Sequence, residues 1–211
     1  LRVFKFPMFS IGVLMVFLCM MLILSTSILL PMYLKGGLLL TAFAAGLVLL
    51  PGGIINGLMS PVTGRLFDKF GPKFLVIPGF IITTILSYLF TNVTTETPQT
   101  TIIIMHTCIF IGVAMIMMPA QTNGLNQLPR AYYPDGSAVM NTLQQIAGTI
   151  GTAVAVSIMV AGQASYVPSA GTTNPMAEAL TSGVQNAFML AFVASIIGLI
   201  ASFFIKRVNV K

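Results

Sequence analysis

The sequence predicts an all-α integral membrane protein with six transmembrane helices. The 211 residues are 56% hydrophobic and only 7% charged, whereas soluble domains carry about 25% charged residues. Six apolar segments are long enough to cross the hydrocarbon core of a bilayer, for which a helix needs about 20 residues. The alternating pattern of a transmembrane β-barrel is absent, and backbone N–H and C=O groups in lipid then require helices.

The six predicted spans follow one another with short connections. Their boundaries are 8–30, 40–62, 74–91, 101–121, 136–161 and 184–205. Arg2 and Lys5 precede the first span as they would precede a signal peptide. That span is longer than the signal-peptide core of about 7–15 residues, and no clear cleavage site follows it, so we interpret it as a retained helix. The first residue is Leu rather than Met, and we expect a longer parent protein.

The basic residues between the spans are unevenly distributed. Nine of the ten lie on one side of the predicted membrane, and Lys35 lies on the other. The nine are Arg2, Lys5, Arg65, Lys69, Lys73, Arg130, Lys206, Arg207 and Lys211. Cytoplasmic loops are enriched in Lys and Arg, so we expect both termini in the cytoplasm and external connections at about 31–39, 92–100 and 162–183. The third connection is rich in Ser, Thr, Gly and Pro and is expected to be the most mobile.

Composition and motif content exclude several classes of function. The net charge of +6 does not indicate nucleic-acid binding, because the basic residues lie where membrane topology requires them and form no basic helix face. Cys19 and Cys108 fall inside apolar segments and are interpreted as small buried hydrophobic residues. We find no metal-ligand cluster, no nucleophile beside a base and no Gly-rich phosphate loop, and therefore predict no enzyme, no metal and no cofactor.

The connection between the second and third spans carries a motif. From Gly64 to Lys73 it reads GRLFDKFGPK. This segment resembles the signature loop of the major facilitator superfamily, approximately G-x-L-x-D-[RK]-x-G-[RK]-[RK]. The matching residues are Gly64, Leu66, Asp68, Lys69, Gly71 and Lys73. Pro72 stands where a basic residue is usual.

The chemistry of this segment suits a gating role. Gly64 and Gly71 permit a tight cytoplasmic turn between two helices. Asp68 can pair with Arg65 or Lys69, or accept N–H bonds at a neighbouring helix N-terminus. Such contacts can hold a cytoplasmic gate closed in one state and release it in another. The alternative is that the basic residues only set orientation and the glycines only make a turn.

The resemblance extends along the whole chain. Three further segments carry it: Pro51-Gly52-Gly53, Ser60-Pro61-Val62-Thr63-Gly64 and Asp135-Gly136-Ser137-Ala138. They are similar to the fourteen-spanner drug:proton antiporter branch, near the lincomycin-resistance-type multidrug exporters. The resemblance implies that the chain is one half of a major-facilitator-type bundle, the C-terminal six spans of an alternating-access exporter in the bacterial plasma membrane. The implied partners are the missing N-terminal half, the lipid bilayer, a hydrophobic drug-like substrate and the proton.

In the family fold, the first, second, fourth and fifth spans of this half face the cavity or the other half. Polar residues within or beside these spans agree in part with that arrangement. The candidate cavity or interface residues are Asn56, His106, Gln121, Asn123, Asn126, Asn141, Gln144 and Gln145. Cavity lining and hydrogen bonding between helices are open alternatives for the amides. Positions 141, 144 and 145 share one helical face by spacing. For His106, proton handling competes with the role of a satisfied interfacial histidine.

Two patterns bear on helix packing and movement. Pro51 removes a helix hydrogen bond, and with Gly52 and Gly53 it forms the best hinge candidate, a static kink being the alternative. The fifth span has small residues at the spacing that predicts close contact with another helix; these are Ala147, Gly148, Gly151, Thr152 and Ala155. No Asp, Glu, Lys or Arg lies within a predicted span, so we expect a proton-carrying carboxylate on a segment outside this chain.

Other functions remain open. The chain could export a substrate other than a drug. It could also be a non-transporting six-helix membrane scaffold, although a scaffold needs no signature-like loop. A six-helix transporter that completes its cavity by dimerisation is a third possibility, against which the non-Met start argues.

Overall fold

In the part of the chain that the structure describes, six long helices follow one another. The computed structural model describes residues 2–168 and 174–208. The helices are α1 Pro7–Met32, α2 Ala42–Phe70, α3 Pro72–Phe90, α4 Gln99–Asn126, α5 Tyr133–Ala164 and α6 Pro175–Phe203. All six are long and apolar enough to cross a membrane, and no strand occurs in the described ranges. The predicted all-α, six-helix fold class is confirmed.

Each helix extends beyond its predicted span at one end or at both. α2 continues to Phe70, so Gly64 lies inside a helix and only Gly71 takes part in the turn that the two glycines permit. An apolar run marks only the part of a helix that lies in hydrocarbon, whereas the backbone hydrogen bonds continue as far as the residues permit. Likewise, α1 passes Pro31 and leads into a π-helical turn at Tyr33–Gly37. α6 begins at Pro175, earlier than predicted.

Four helices form a closed ring, and two helices flank it. α1 contacts α4 and α6, and α3 contacts the same two helices. α2 packs mainly on α4, while α5 packs on α1 and α6. Large side chains fill the space between the helices; the most fully buried are Tyr33, Phe9, Phe80, Phe90, Phe188, Met15, Leu29, Leu30, Leu34, Leu75, Ile102 and Ile109. The rings of Phe90 and Phe188 stack with their centroids 4.6 Å apart and thereby join α3 to α6.

The α1–α5 contact uses the small residues predicted for this role. Four of them are buried on α5: Ala147, Gly148, Gly151 and Ala155. A Cβ atom on Gly151 would lie 2.7 Å from the Cα atom of Met21. The two backbones therefore approach more closely than any other residue would allow. The prediction that this stripe serves helix packing is confirmed.

The two ends of the bundle differ in charge. Hydrogen bonds bring the start of α1, the end of α4 and the residues after α6 together at one end. This end, called the basic end below, carries every described Lys and Arg residue except Lys35. The assignment of the basic end to the cytoplasm stays a prediction. Lys211 and most of the connection between Pro168 and Pro175, for which high mobility is expected, lie outside the described residues.

Candidate functional site

A cleft of about 460 Å³ lies between α2 and α4, in the half of the bundle nearer the basic end. Its lining residues are Asn56, Gly57, Ser60, Thr63, Ala114, Met117, Met118, Gln121, Thr122, Leu125 and Tyr133. On α2, the polar residues Asn56, Ser60 and Thr63 recur at helical spacing and so share one face. That periodicity within an apolar span is the sequence signal that could have identified Ser60 and Thr63 as well as Asn56.

The cleft combines adaptable apolar groups with a few polar ones. Met117 and Met118 contribute flexible thioethers, which fit irregular apolar surfaces. The amides of Asn56 and Gln121 are half-buried and line the same space. None of the lining residues that the structure describes is charged. Mostly apolar contacts with a few orienting hydrogen bonds suit an amphipathic organic molecule.

The hydroxyl of Thr63 is held by its own helix. Its Oγ1 atom donates to the carbonyl of Ser60 at 3.0 Å and lies 3.8 Å from Sδ of Met118. A hydroxyl that already bonds to the preceding turn needs no further partner. The amides of Asn56 and Gln121 are therefore the better candidates for hydrogen bonding to a bound molecule.

His106 is buried at the α2–α4 contact. Its side chain is 5% exposed, its ring centroid lies 4.8 Å from that of Phe110, and its Nδ1 atom is buried without a hydrogen-bond partner among the described residues. The role of a satisfied interfacial histidine therefore stays a prediction. The proton-handling alternative stays a prediction.

The hinge candidate forms part of a continuous helix. α2 runs unbroken through Pro51, Gly52 and Gly53. Gly52 faces α4, where a Cβ atom would overlap with the ring of His106. Gly53 faces open space, with no atom within 4 Å of the position of its Cβ. The first glycine thus serves packing in this conformation, and the hinge role stays a prediction.

The amides near the end of α4 divide between two faces. Gln121 lines the cleft. Asn123 is fully buried on another face, because two residues along a helix correspond to a rotation of about 200°. Its Nδ2 atom donates to the carbonyl of Lys206 at 3.0 Å, and its Oδ1 atom accepts from the N–H of Val208 at 3.0 Å. Asn123 therefore ties the C-terminal segment to α4 and does not line the cleft; its assignment as a cavity or interface residue stays a prediction.

Gln127, a further amide at the end of α4 that was not among the candidate residues, caps the start of α1. The first N–H groups of a helix have no partner within it. The Oε1 atom of Gln127 accepts from the N–H groups of Met8 and Phe9, the second at 3.0 Å. Pro7 at the start of α1 signals a helix N-terminus, but nothing local reveals a capping partner at the end of α4. Asn126 is half-buried and lies outside the cleft lining.

The three candidate amides of α5 lie in different surroundings. Asn141 and Gln145 are exposed, whereas Gln144 is half-buried. The Nε2 atom of Gln144 is buried without a hydrogen-bond partner among the described residues. None of the three lines the α2–α4 cleft. Their role at an interface with another part of the transporter stays a prediction.

The signature segment, residues 64–73, turns only at Gly71. This residue has φ +80°, a conformation that favours glycine. Pro72 occupies the first position of α3, where a missing N–H group costs nothing. The turn is thus a single residue between two helices, which places Asp68 and Lys69 in the last turn of α2.

The contacts of Asp68 differ from those expected. Its backbone carbonyl accepts a hydrogen bond from Nη2 of Arg207 at 2.8 Å. Its side chain is exposed in the structure, and no hydrogen bond joins it to Arg65 or Lys69 among the described residues. The ammonium of Lys69 instead lies 5.2 Å from the centroid of the Phe70 ring. Arg207 was not among the candidates, because nothing in the sequence places it beside Asp68.

The chain is similar in sequence to known proteins over its whole length. A family model described as "Major Facilitator Superfamily" matches residues 1–152. The lincomycin resistance protein LmrB of Bacillus subtilis (strain 168) is 66% identical over 215 aligned residues, covering 100% of this chain and 44% of the relative. LmrB of Listeria monocytogenes is 56% identical over 209 residues, 98% of this chain and 44% of the relative. The multidrug export protein EmrB of Escherichia coli (strain K12) is 31% identical over 192 residues, 88% of this chain and 37% of the relative. The chain thus spans less than half the length of these relatives.

Proposed function

The chain belongs to the major facilitator superfamily, and we propose that it is the C-terminal half of a proton-coupled multidrug efflux transporter that works by alternating access. The 66% identity to a lincomycin resistance protein, over the whole of this chain, carries the proposal. In this fold, two six-helix bundles rock around a central cavity. The protein that contains this chain would be a multi-pass protein of the bacterial plasma membrane.

The cleft between α2 and α4 supports this chain's share of a drug site. Its methionine, aromatic and amide lining can adapt to amphipathic molecules of different shapes. It lies nearer the basic end, which the positive-inside rule assigns to the cytoplasm. A cleft on that side suits an exporter, which must take its substrate from the cell interior. The substrate class remains part of the proposal, and export of a non-drug molecule is the alternative.

The exposed faces of the flanking helices support contact with a second bundle. α2 exposes an apolar row at helical spacing, made of Leu47, Leu50, Ile54, Leu58 and Val62. α5 exposes Ile146, Ile150 and Val154 beside Gln145 and Thr149. The N-terminal half of the same transporter is the partner proposed for these faces, with lipid around α3 and α6. The described acidic residues all lie near helix ends or in connections, so we place the proton-carrying carboxylate in that other half.

Drug efflux from everted membrane vesicles tests the proposal. Vesicles carrying the full-length parent are given a proton gradient, and drug movement is compared between wild type, Asp68→Asn and Glu96→Gln. Both acids are exposed, but Glu96 lies in the connection between α3 and α4 at the opposite end. We expect Asp68→Asn to lose most efflux at equal expression and Glu96→Gln to retain it.

The outcomes separate the alternatives. Selective loss in Asp68→Asn supports a gating role for the signature segment. Unchanged efflux in both variants means that this segment is only a topological turn. A parent that moves no drug under any gradient removes the exporter assignment, and the six-helix scaffold or another substrate then becomes the better explanation.

A further inference from the structure

The residues after α6 fold back across the basic end. We call Ile205–Val208 the C-terminal strap. Ile205 is fully buried among the helix ends. Asn123 of α4 binds the strap twice, through the carbonyl of Lys206 and the N–H of Val208, both at 3.0 Å. The backbone N–H of Lys206 also lies 3.2 Å from Sδ of Met8 in α1. The strap is therefore fixed to two helices of the central ring.

Arg207 extends from this fixed backbone to the signature segment. Its Nη2 atom donates to the carbonyl of Asp68 at 2.8 Å. Its Cδ atom lies 3.1 Å from the position that a Cβ on Gly71 would occupy, so the side chain also packs on the turn. A single arginine thus contacts the end of α2 and the turn that follows it.

The chemistry of that contact is the capping of a helix C-terminus. The last four carbonyls of a helix have no N–H partner within it and lie at the negative end of its dipole. The carbonyl of Phe67 is bonded to the N–H of Gly71, and the next one, that of Asp68, is the acceptor for Arg207. A guanidinium placed there supplies both a donor and a positive charge.

We infer that Arg207 supplies, from the C-terminal strap, the positive charge that the signature segment lacks at Pro72, and that Arg207 and Asn123 are positioning residues for the α2–α3 turn. The segment resembles a motif with two consecutive basic residues after its second glycine, and here proline replaces the first of them. Pro72 suits the start of α3 but cannot donate. Arg207 lies against the same turn and provides the missing cation, while Asn123 fixes the strap that carries it.

Hydrogen–deuterium exchange on the full-length parent in lipid nanodiscs tests the positioning role without measuring transport. Arg207→Ala is compared with Lys206→Ala, which removes the neighbouring cation but keeps the backbone contacts of the strap. Arg207 is exposed, so the variant is expected to fold. We expect the peptide covering Asp68–Lys73 to exchange about threefold to tenfold faster in Arg207→Ala, as the loss of one hydrogen bond implies. Lys206→Ala should match the wild type.

Two further variants sharpen the assignment. Arg207→Lys keeps a cationic donor and should restore most of the protection. Asn123→Asp keeps the acceptor for Val208 but loses the donor for Lys206, and it should release the strap and raise exchange in the same peptide. Asn126→Asp, in the same turn of α4, is its control. Equal exchange in Arg207→Ala and wild type, or an equal rise in Lys206→Ala, would overturn the inference.

The consequence for transport rests on the proposed function. If the parent protein exports drugs, Arg207→Ala should lower the maximal efflux rate. It should leave the half-saturating drug concentration unchanged, because the strap lies apart from the cleft. Faster exchange with unchanged efflux supports the strap as a positioning element and counts against the gating role of the signature segment. The positioning role of the strap and the gating role of the signature segment can therefore be contradicted independently of each other.

Discussion

At the scale of single residues, Gly52 and His106 fit closely together between α2 and α4. The ring of His106 occupies the space that a side chain at position 52 would need. We therefore expect Gly52→Ala to destabilise the protein by about 1–3 kcal/mol, the usual cost of overpacking a buried contact. The midpoint of thermal unfolding of the purified full-length protein in detergent measures this change.

Gly53→Ala is the control for that substitution. It makes the same chemical change one residue along α2, where no atom lies within 4 Å of the added Cβ. Alanine is favoured over glycine in a helix by about 1 kcal/mol, so this variant should be as stable as wild type or slightly more stable. Equal destabilisation of both variants would show that α2 responds to lost backbone freedom rather than to contact with His106. A stable Gly53→Ala variant with reduced efflux would favour the hinge.

At the scale of helices, the α1–α5 contact depends on Gly151. A Cβ there would meet backbone atoms of Met21, at 2.7 Å from Cα and 3.0 Å from the carbonyl oxygen. Backbone cannot rotate away as a side chain can, so the two helices must separate. We expect Gly151→Ala to lower stability by about 1–3 kcal/mol, measured as the unfolding midpoint in the same detergent. Gly46→Ala on α2, where nothing lies within 4 Å, should leave the midpoint unchanged or raise it slightly, and a similar fall in both would contradict the packing argument.

The helices themselves were predictable because backbone N–H and C=O groups in lipid must be hydrogen-bonded within the segment. Their ends were not, because hydropathy follows the hydrocarbon layer and not the hydrogen-bond ladder. Thus Gly64 is a residue at which a helix can end, but α2 continues to Phe70. A glycine permits a turn without requiring one. The structure places the break where glycine has positive φ and proline follows.

Part of the site could be predicted from the sequence, because polar residues within apolar spans are conspicuous. Asn56 and Gln121 are polar residues in or beside apolar spans, and both line the cleft. Asn123 has the same character in sequence, yet its partners are backbone atoms at Lys206 and Val208. Only the three-dimensional arrangement distinguishes an amide that faces a cavity from one that holds a distant segment. Arg207 was unpredictable for the same reason.

At the scale of the whole molecule, the bundle is electrically asymmetric. Every described Lys and Arg residue except Lys35 lies at the basic end, which also carries the signature segment, the C-terminal strap and the cleft. The features proposed for gating and substrate capture therefore share one side of the membrane. If that side were external, this cleft would not be the one that takes a drug from the cell interior. The orientation of the chain is therefore a test of the cleft's proposed share in substrate capture.

Reporter fusions to the full-length parent measure this orientation. Because basic connections are retained in the cytoplasm, a green fluorescent protein fused after Lys211 should fluoresce, and alkaline phosphatase at the same position should be inactive. Reporters inserted after Thr95, in the connection between α3 and α4, should give the reverse pattern. Each reporter serves as the control for the other, because an unstable fusion would lose both signals at one position. Active phosphatase after Lys211 would place the basic end outside, and the cleft would then open away from the drug that an exporter must capture.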